Sequence, residues 1–215
     1  MSAADIKVLR KRTGAGILDC KKALVETDGD IDQAIDWLRA KGVASAAKKA
    51  SRAATEGLVV SYIHAGGKIG VLVEVNCETD FVALNEGFQN LCRDIAMHIA
   101  AAAPEYVTRE EVPADAIERE REVQKQRVME EGKPAHIADR IVAGRMGKFY
   151  EDYCLLEQKF VKDDKKTVGE IITDAIAKIG ENIKVRRFSR YVLGEGLEKK
   201  KDDFAAEVAA QVGNG

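Results

Sequence analysis

Side chains able to do chemistry are thinly spread along this sequence, and their spacing excludes more reactions than it suggests. Cys20, Cys77, Cys92 and Cys154 form no C-x-x-C pair, so a structural zinc site has no starting point. His64, His98 and His136 fall in three different predicted elements, which leaves no ligand cluster, and no metal is expected. Cys20 stands between Asp19 and Lys21-Lys22, and those lysines would lower a thiol pKa; the sequence sets no base beside it, as thiol catalysis would require. The turn Thr13-Gly14-Ala15-Gly16 invites a phosphate-loop reading, yet no strand precedes it, Asp19 stands where glycine is needed, and no Gly-Lys-Ser/Thr ending follows. Neither a cofactor nor an enzymatic reaction is expected.

What remains is Thr79-Asp80-Phe81-Val82, a carboxylate beside a large aromatic. The residues before it, Ile69 to Asn76, are β-branched and apolar enough for a strand, and 85–102 has helical periodicity, so Asp80 and Phe81 sit at a strand-to-helix corner. Two readings fit. In one, Thr79 or Asp80 caps the helix and Phe81 tucks beneath it. In the other, the acidic-aromatic pair faces outward to enter another molecule.

The elements that must position this corner make an α+β protein. Residues 1–42 read as three helices, marked by Ile6 and Leu9, by Ile17, Cys20, Ala23 and Leu24, and by Ile31, Ala34, Ile35 and Leu38. Asp30 and Gln33 have capping-box spacing, and Gly42 reads as the stop of the third helix. An alanine-rich helix or linker carrying Lys48, Lys49 and Arg52 then extends this amino-terminal unit to residue 54. A hairpin follows, Gly57–Ile63 and Ile69–Cys77 around Ala65-Gly66-Gly67, and Ile183–Leu193 supplies a third strand. Helices 85–102 and 167–179 back this sheet, since one strand pair is not stable alone in water. The core is therefore split into 55–110 and 153–197. Between its halves, 111–152 reads as a helical hairpin broken at Gly132-Lys133-Pro134, either projecting or lying over the sheet. A short alanine-rich helix in 198–215 would need a partner surface.

Charged residues make up 33% of the 215, yet the net charge is only -2, which argues against non-specific nucleic-acid binding. No apolar run is long enough to span a bilayer and the first residues carry no secretory pattern, so a soluble, cytoplasmic protein is expected.

Four blocks resemble the elongation factor Ts family: Leu9-Arg-Lys-Arg-Thr-Gly-Ala-Gly-Ile-Leu-Asp-Cys-Lys-Lys-Ala-Leu, Asn76-Cys-Glu-Thr-Asp-Phe-Val, Lys178-Ile-Gly-Glu-Asn-Ile-Lys-Val-Arg-Arg, and Gly194-Glu-Gly-Leu with Asp203-Phe-Ala-Ala-Glu-Val-Ala. The resemblance spans nearly the whole chain and implies a nucleotide-exchange factor for elongation factor Tu. On it, Thr79, Asp80, Phe81 and Val82 push between two helices of the partner GTPase near its magnesium site. Ile179 and Gly180 would flank that contact, with His64 a further candidate on the same edge. The amino-terminal unit, which resembles ubiquitin-associated domains, would dock through Lys7, Arg10, Ile17, Leu18 and Lys21, although Ile17 has a second reading as core. Only one copy of the sheet core is present, as in the family's short members, which implies a homodimer. A competing reading, a ubiquitin-associated-type binding module on an unrelated scaffold, accounts for residues 1–42 only.

Overall fold

The computed structural model describes residues 2–197, so the helix expected in 198–215 lies outside the described residues. The fold is α+β. Three helices open it: α1 (Ala3–Thr13), α2 (Ile17–Glu26) and α3 (Ile31–Lys49). They close around Leu9, Cys20, Ala23, Leu24 and Ala34, an apolar cluster of their own. Ser2 and Asp5 form a capping box at the start of α1, and the Asp30 carboxylate accepts from the Gln33 N–H at the start of α3.

The sequence reading stops the third helix at Gly42; the chain instead continues as helix to Lys49. The stop fails because Gly42 keeps helical geometry and serves packing, being buried where a Cβ would come within 3.3 Å of the Ala177 Cβ. The missing side chain lets α3 lie close against α8 (Val168–Ile179), and Arg39 pairs with Glu170 at 2.8 Å along the same contact. Of the stretch read as helix or linker, 43–49 is helix, and residues 50–55 connect it to β1.

Strands β1 (Glu56–Ile63), β2 (Ile69–Cys77) and β5 (Lys184–Val192) form an antiparallel sheet in the order β1-β2-β5. Alternation sends Val71, Val73, Val75 and Val185 inward, onto α8 and α5 (Glu86–Ala102), whose Phe88, Leu91, Ile95 and Ile99 fill the core beside Ile172 and Ile176. The other face carries Val59, Ile63, Leu72 and Tyr191 into solvent. Between β2 and α5 the chain makes one extra turn of helix, α4 (Asp80–Ala83).

Helices α6 (Ala114–Glu130) and α7 (Ala135–Tyr153) form the expected hairpin. Val128, Val142 and Met146 make a small core between them, and among the described residues neither helix adds a side chain to the main cluster. The projecting alternative is therefore the one observed. A small hairpin missed by the sequence reading, β3 (Lys159–Phe160) with β4 (Asp163–Thr167), leads back to α8.

A fully buried imidazole joins these parts. His98 on α5 sits 3.0 Å from Gln158 Oε1 through Nε2, while its Nδ1 accepts from the Val161 N–H at 3.3 Å; Gln158 donates onward to the carbonyls of Ala102 and Asp152. The Val161 donor requires a bare Nδ1, so the ring is neutral with its proton on Nε2. Burial pushes its pKa below the ordinary 6.5, against the smaller opposing effect of Gln158. The unfolded chain therefore takes up this proton first, and stability intact above about pH 6.5 declines below it. The melting temperature is expected to fall between pH 6.5 and 5.5, less steeply in His98→Gln than in the wild type. Equal slopes for the two proteins would remove His98 from that dependence.

Candidate partner-binding site

Thr79 ends the β2 strand's exit with extended backbone, and its hydroxyl accepts from the Val82 N–H, which starts α4. Asp80 and Phe81 are the first two residues of that helix. The capping half of the local reading holds, but Phe81 does not tuck in: 79% of it is exposed, and Asp80 beside it is exposed too. Val82 packs partly into the main core and Ala83 is buried, so the two residues that point out are anchored by the two that follow. Asp80 Oδ1 accepts from the Phe81 N–H at 2.9 Å, an exposed local bond that leaves its other oxygen open to solvent or a partner.

Ile179 and Gly180 arrive beside this corner from the end of α8. Gly180 has a φ of +91°, the left-handed cap that lets the chain reverse into β5, while Ile179 packs partly against the core. The next residue, Glu181, was not among the candidates from sequence. Its carboxylate accepts from the N–H groups of Glu78 and Thr79 and from the Thr79 hydroxyl. Only the adjacency of Glu181-Asn182 to Ile179-Gly180 could have pointed to it.

His64 is not brought to the corner. It lies in the β1–β2 turn, at the start of β2, whereas the corner follows that strand's other end. Nine residues at about 3.3 Å each put the two ends roughly 30 Å apart. Its Nδ1 is 3.1 Å from the Tyr62 hydroxyl, a contact within the hairpin.

Lys7 and Arg10 are exposed on α1, and Ile17, Leu18 and Lys21 are exposed on α2. Ile17 is 56% and Leu18 82% exposed, so the core reading of Ile17 fails. The reason is helical phase: Cys20, Ala23 and Leu24 take the inward face, leaving Ile17, Leu18, Lys21 and Val25 outward. The Lys178 side chain, from the last turn of α8, extends to the turn between α1 and α2, where a Cβ on Gly14 would come within 2.9 Å of its Cε.

None of the four cysteines offers a thiolate. All are free and buried, and burial pushes each thiol up, Cys92 to about 12 and Cys154 to about 11. For Cys20 desolvation outweighs any help from neighbouring cations, which overturns the lysine-activation idea. Among the described residues no group of three His, Cys, Asp or Glu side chains could hold a metal ion. No helix among them is long and apolar enough to cross a membrane.

The family model for Elongation factor TS matches residues 33–195, from α3 to just beyond β5. Proteins named Elongation factor Ts from Geobacter sulfurreducens and Desulforamulus reducens are 63% and 62% identical to this chain, covering 99% of it and 99% and 98% of their own lengths. The corresponding protein of Heliobacterium modesticaldum is 60% identical over 99% of both chains. These matches run through the amino-terminal helices as well as the core, which leaves no unrelated scaffold for a fused binding module. An exposed acidic-aromatic corner on a single-copy sheet core, with sequence matches of this extent, makes the chain a member of the elongation factor Ts family of translation elongation factors.

Proposed function

We propose that this protein is a guanine nucleotide exchange factor that binds elongation factor Tu carrying GDP and promotes GDP release. The observation that carries this reading is Phe81, largely exposed yet anchored on both sides by buried or hydrogen-bonded neighbours. A large aromatic held in water at a fixed angle suits insertion into a partner, as such anchors often dominate binding energy. On this reading Asp80 and Phe81 enter between two helices of the GTPase near its magnesium ion. Magnesium demands near-ideal octahedral coordination, so a small displacement of the elements that hold it weakens the nucleotide's grip. Asp80 acts there by its charge and not as a proton donor; no bond is made or broken by this chain. Reciprocity requires that GDP weaken binding of this protein by the same factor that the protein weakens binding of GDP.

Lys7, Arg10, Ile17, Leu18 and Lys21, exposed on α1 and α2, supply a second contact with the GTPase, and Ile179 with Gly180 flanks the first. No cofactor, nucleic acid or membrane enters this mechanism. The measurement is release of fluorescent GDP from purified elongation factor Tu: the protein at micromolar concentration should accelerate it many-fold, and an unchanged rate would end the proposal.

Self-association belongs to the same reading. The outer face of the sheet exposes Val59, Ile63, Leu72 and Tyr191, with Leu193 beyond the last strand, each at least half accessible. Apolar strand residues gathered on one uncovered face favour a partner surface, and a second copy of the single core is the economical one. The cysteines are buried, so contacts between copies are non-covalent. Light scattering of the reduced protein should give twice the 23.5 kDa chain mass. A monomer that still stimulates exchange would show that one core suffices.

A further inference from the structure

The corner is tied down by two pairs of adjacent residues that exchange hydrogen bonds across the sheet's end. Glu181 Oε2 accepts from the N–H groups of Glu78 and Thr79, both at 3.0 Å, and its Oε1 accepts from the Thr79 hydroxyl at 2.7 Å. In return, Glu78 Oε1 accepts from the Asn182 N–H at 2.6 Å. The Asn182 amide donates to the carbonyls of Ala50 and Arg52, at 3.4 and 2.8 Å, and the Arg52 guanidinium lies 3.5 Å from Glu78 Oε1. The exit of α3, the end of β2 and the α8–β5 turn thus meet in one knot.

Its position next to Phe81 matters because it fixes the residue that leads into the corner, as the packing of Val82 and Ala83 fixes the residues that leave it. A helix of four residues does not hold itself, and a ring mostly in water is not fixed by packing. The direction of Asp80 and Phe81 is set from both ends, by Thr79 before them and by Val82 and Ala83 after them. A hydroxyl has a single proton; Thr79 commits it to Glu181, which leaves a lone pair turned to the Val82 N–H, the cap that begins α4.

We propose that Glu181 is a positioning residue for nucleotide exchange, locking the Thr79 cap so that Asp80 and Phe81 are presented as a rigid unit. This rests on the exchange reading above. Glu181→Gln keeps length and volume but replaces one accepting oxygen with an NH2 group facing donors. In the GDP-release assay with the full chain, the maximal rate should fall about tenfold, the scale of losing one charge-assisted hydrogen bond. The half-saturating concentration should stay within about threefold, since the α1–α2 contact is untouched.

A residue that only stabilised the fold would lower the rate further in a Phe81→Ala background. A positioning residue has little left to aim there, so Glu181→Gln with Phe81→Ala should be within about twofold of Phe81→Ala alone. Multiplying losses, or a wild-type rate in the single variant, would overturn the proposal. Should Glu181→Gln not fold, Thr79→Val removes the hydroxyl on which it acts and should give the same drop; a full rate there also counts against it. Amide hydrogen exchange reads the lock without the GTPase: protection at Val82 should fall at least about tenfold in Glu181→Gln, and unchanged protection refutes it. A wild type that fails to stimulate release would defeat the exchange reading, whereas active wild type, weakened Phe81→Ala and unimpaired Glu181→Gln would defeat the positioning role alone.

Discussion

Replacing Phe81 with alanine is expected to slow stimulated GDP release about thirtyfold while leaving the fold intact. The magnitude follows from losing one aromatic anchor, roughly 2 kcal/mol, at about 1.4 kcal/mol per factor of ten. The specificity follows from exposure. Phe81 is 79% accessible, so its truncation opens no cavity and removes no core contact, while the cap made by Thr79 and the anchoring Val82 and Ala83 stay in place. Melting temperature and circular dichroism should therefore match the wild type within error. A folded variant that stimulates release normally would show that the corner is not the inserting element.

Changing Leu18 to glutamate is expected to raise the half-saturating concentration about tenfold or more and to leave the maximal rate near that of the wild type. Leu18 is 82% exposed on the face of α2 that also shows Ile17, Lys21 and Val25, so a carboxylate there meets water in the free protein and an apolar partner surface in the complex. Affinity suffers without touching the corner, and the two kinetic constants separate the roles. Deleting residues 1–50 would be a poorer test. That cut removes α3, which covers α8, together with the Ala50 carbonyl that receives Asn182, so lost activity would report damage to the core. If Leu18→Glu lowers the maximal rate and leaves the concentration dependence unchanged, the amino-terminal face is not an affinity surface.

The sequence by itself determined the three main strands, the principal helices and the corner. Period-two apolar residues in Ile69–Cys77 and period-3.6 residues in 86–102 and 168–179 report which faces must be buried, and burial of apolar area is the dominant local constraint. Thr79 could be read as a cap because its hydroxyl acts within four residues. Only the tertiary structure decided the rest, since it depends on surfaces distant in the chain. Gly42 reads locally as a helix stop; whether a glycine ends a helix or lets two helices approach depends on what lies opposite, here Ala177. Phe81 and Ile17 are apolar and could each be read as core or as contact, and only the phase of their helices against the packed faces sent both outward. His64, a candidate on the same edge, is held away from the corner by the length of one extended strand. Glu181 carries no local signature, because its three hydrogen bonds reach residues more than 100 positions away, brought beside it when β2 and β5 pair.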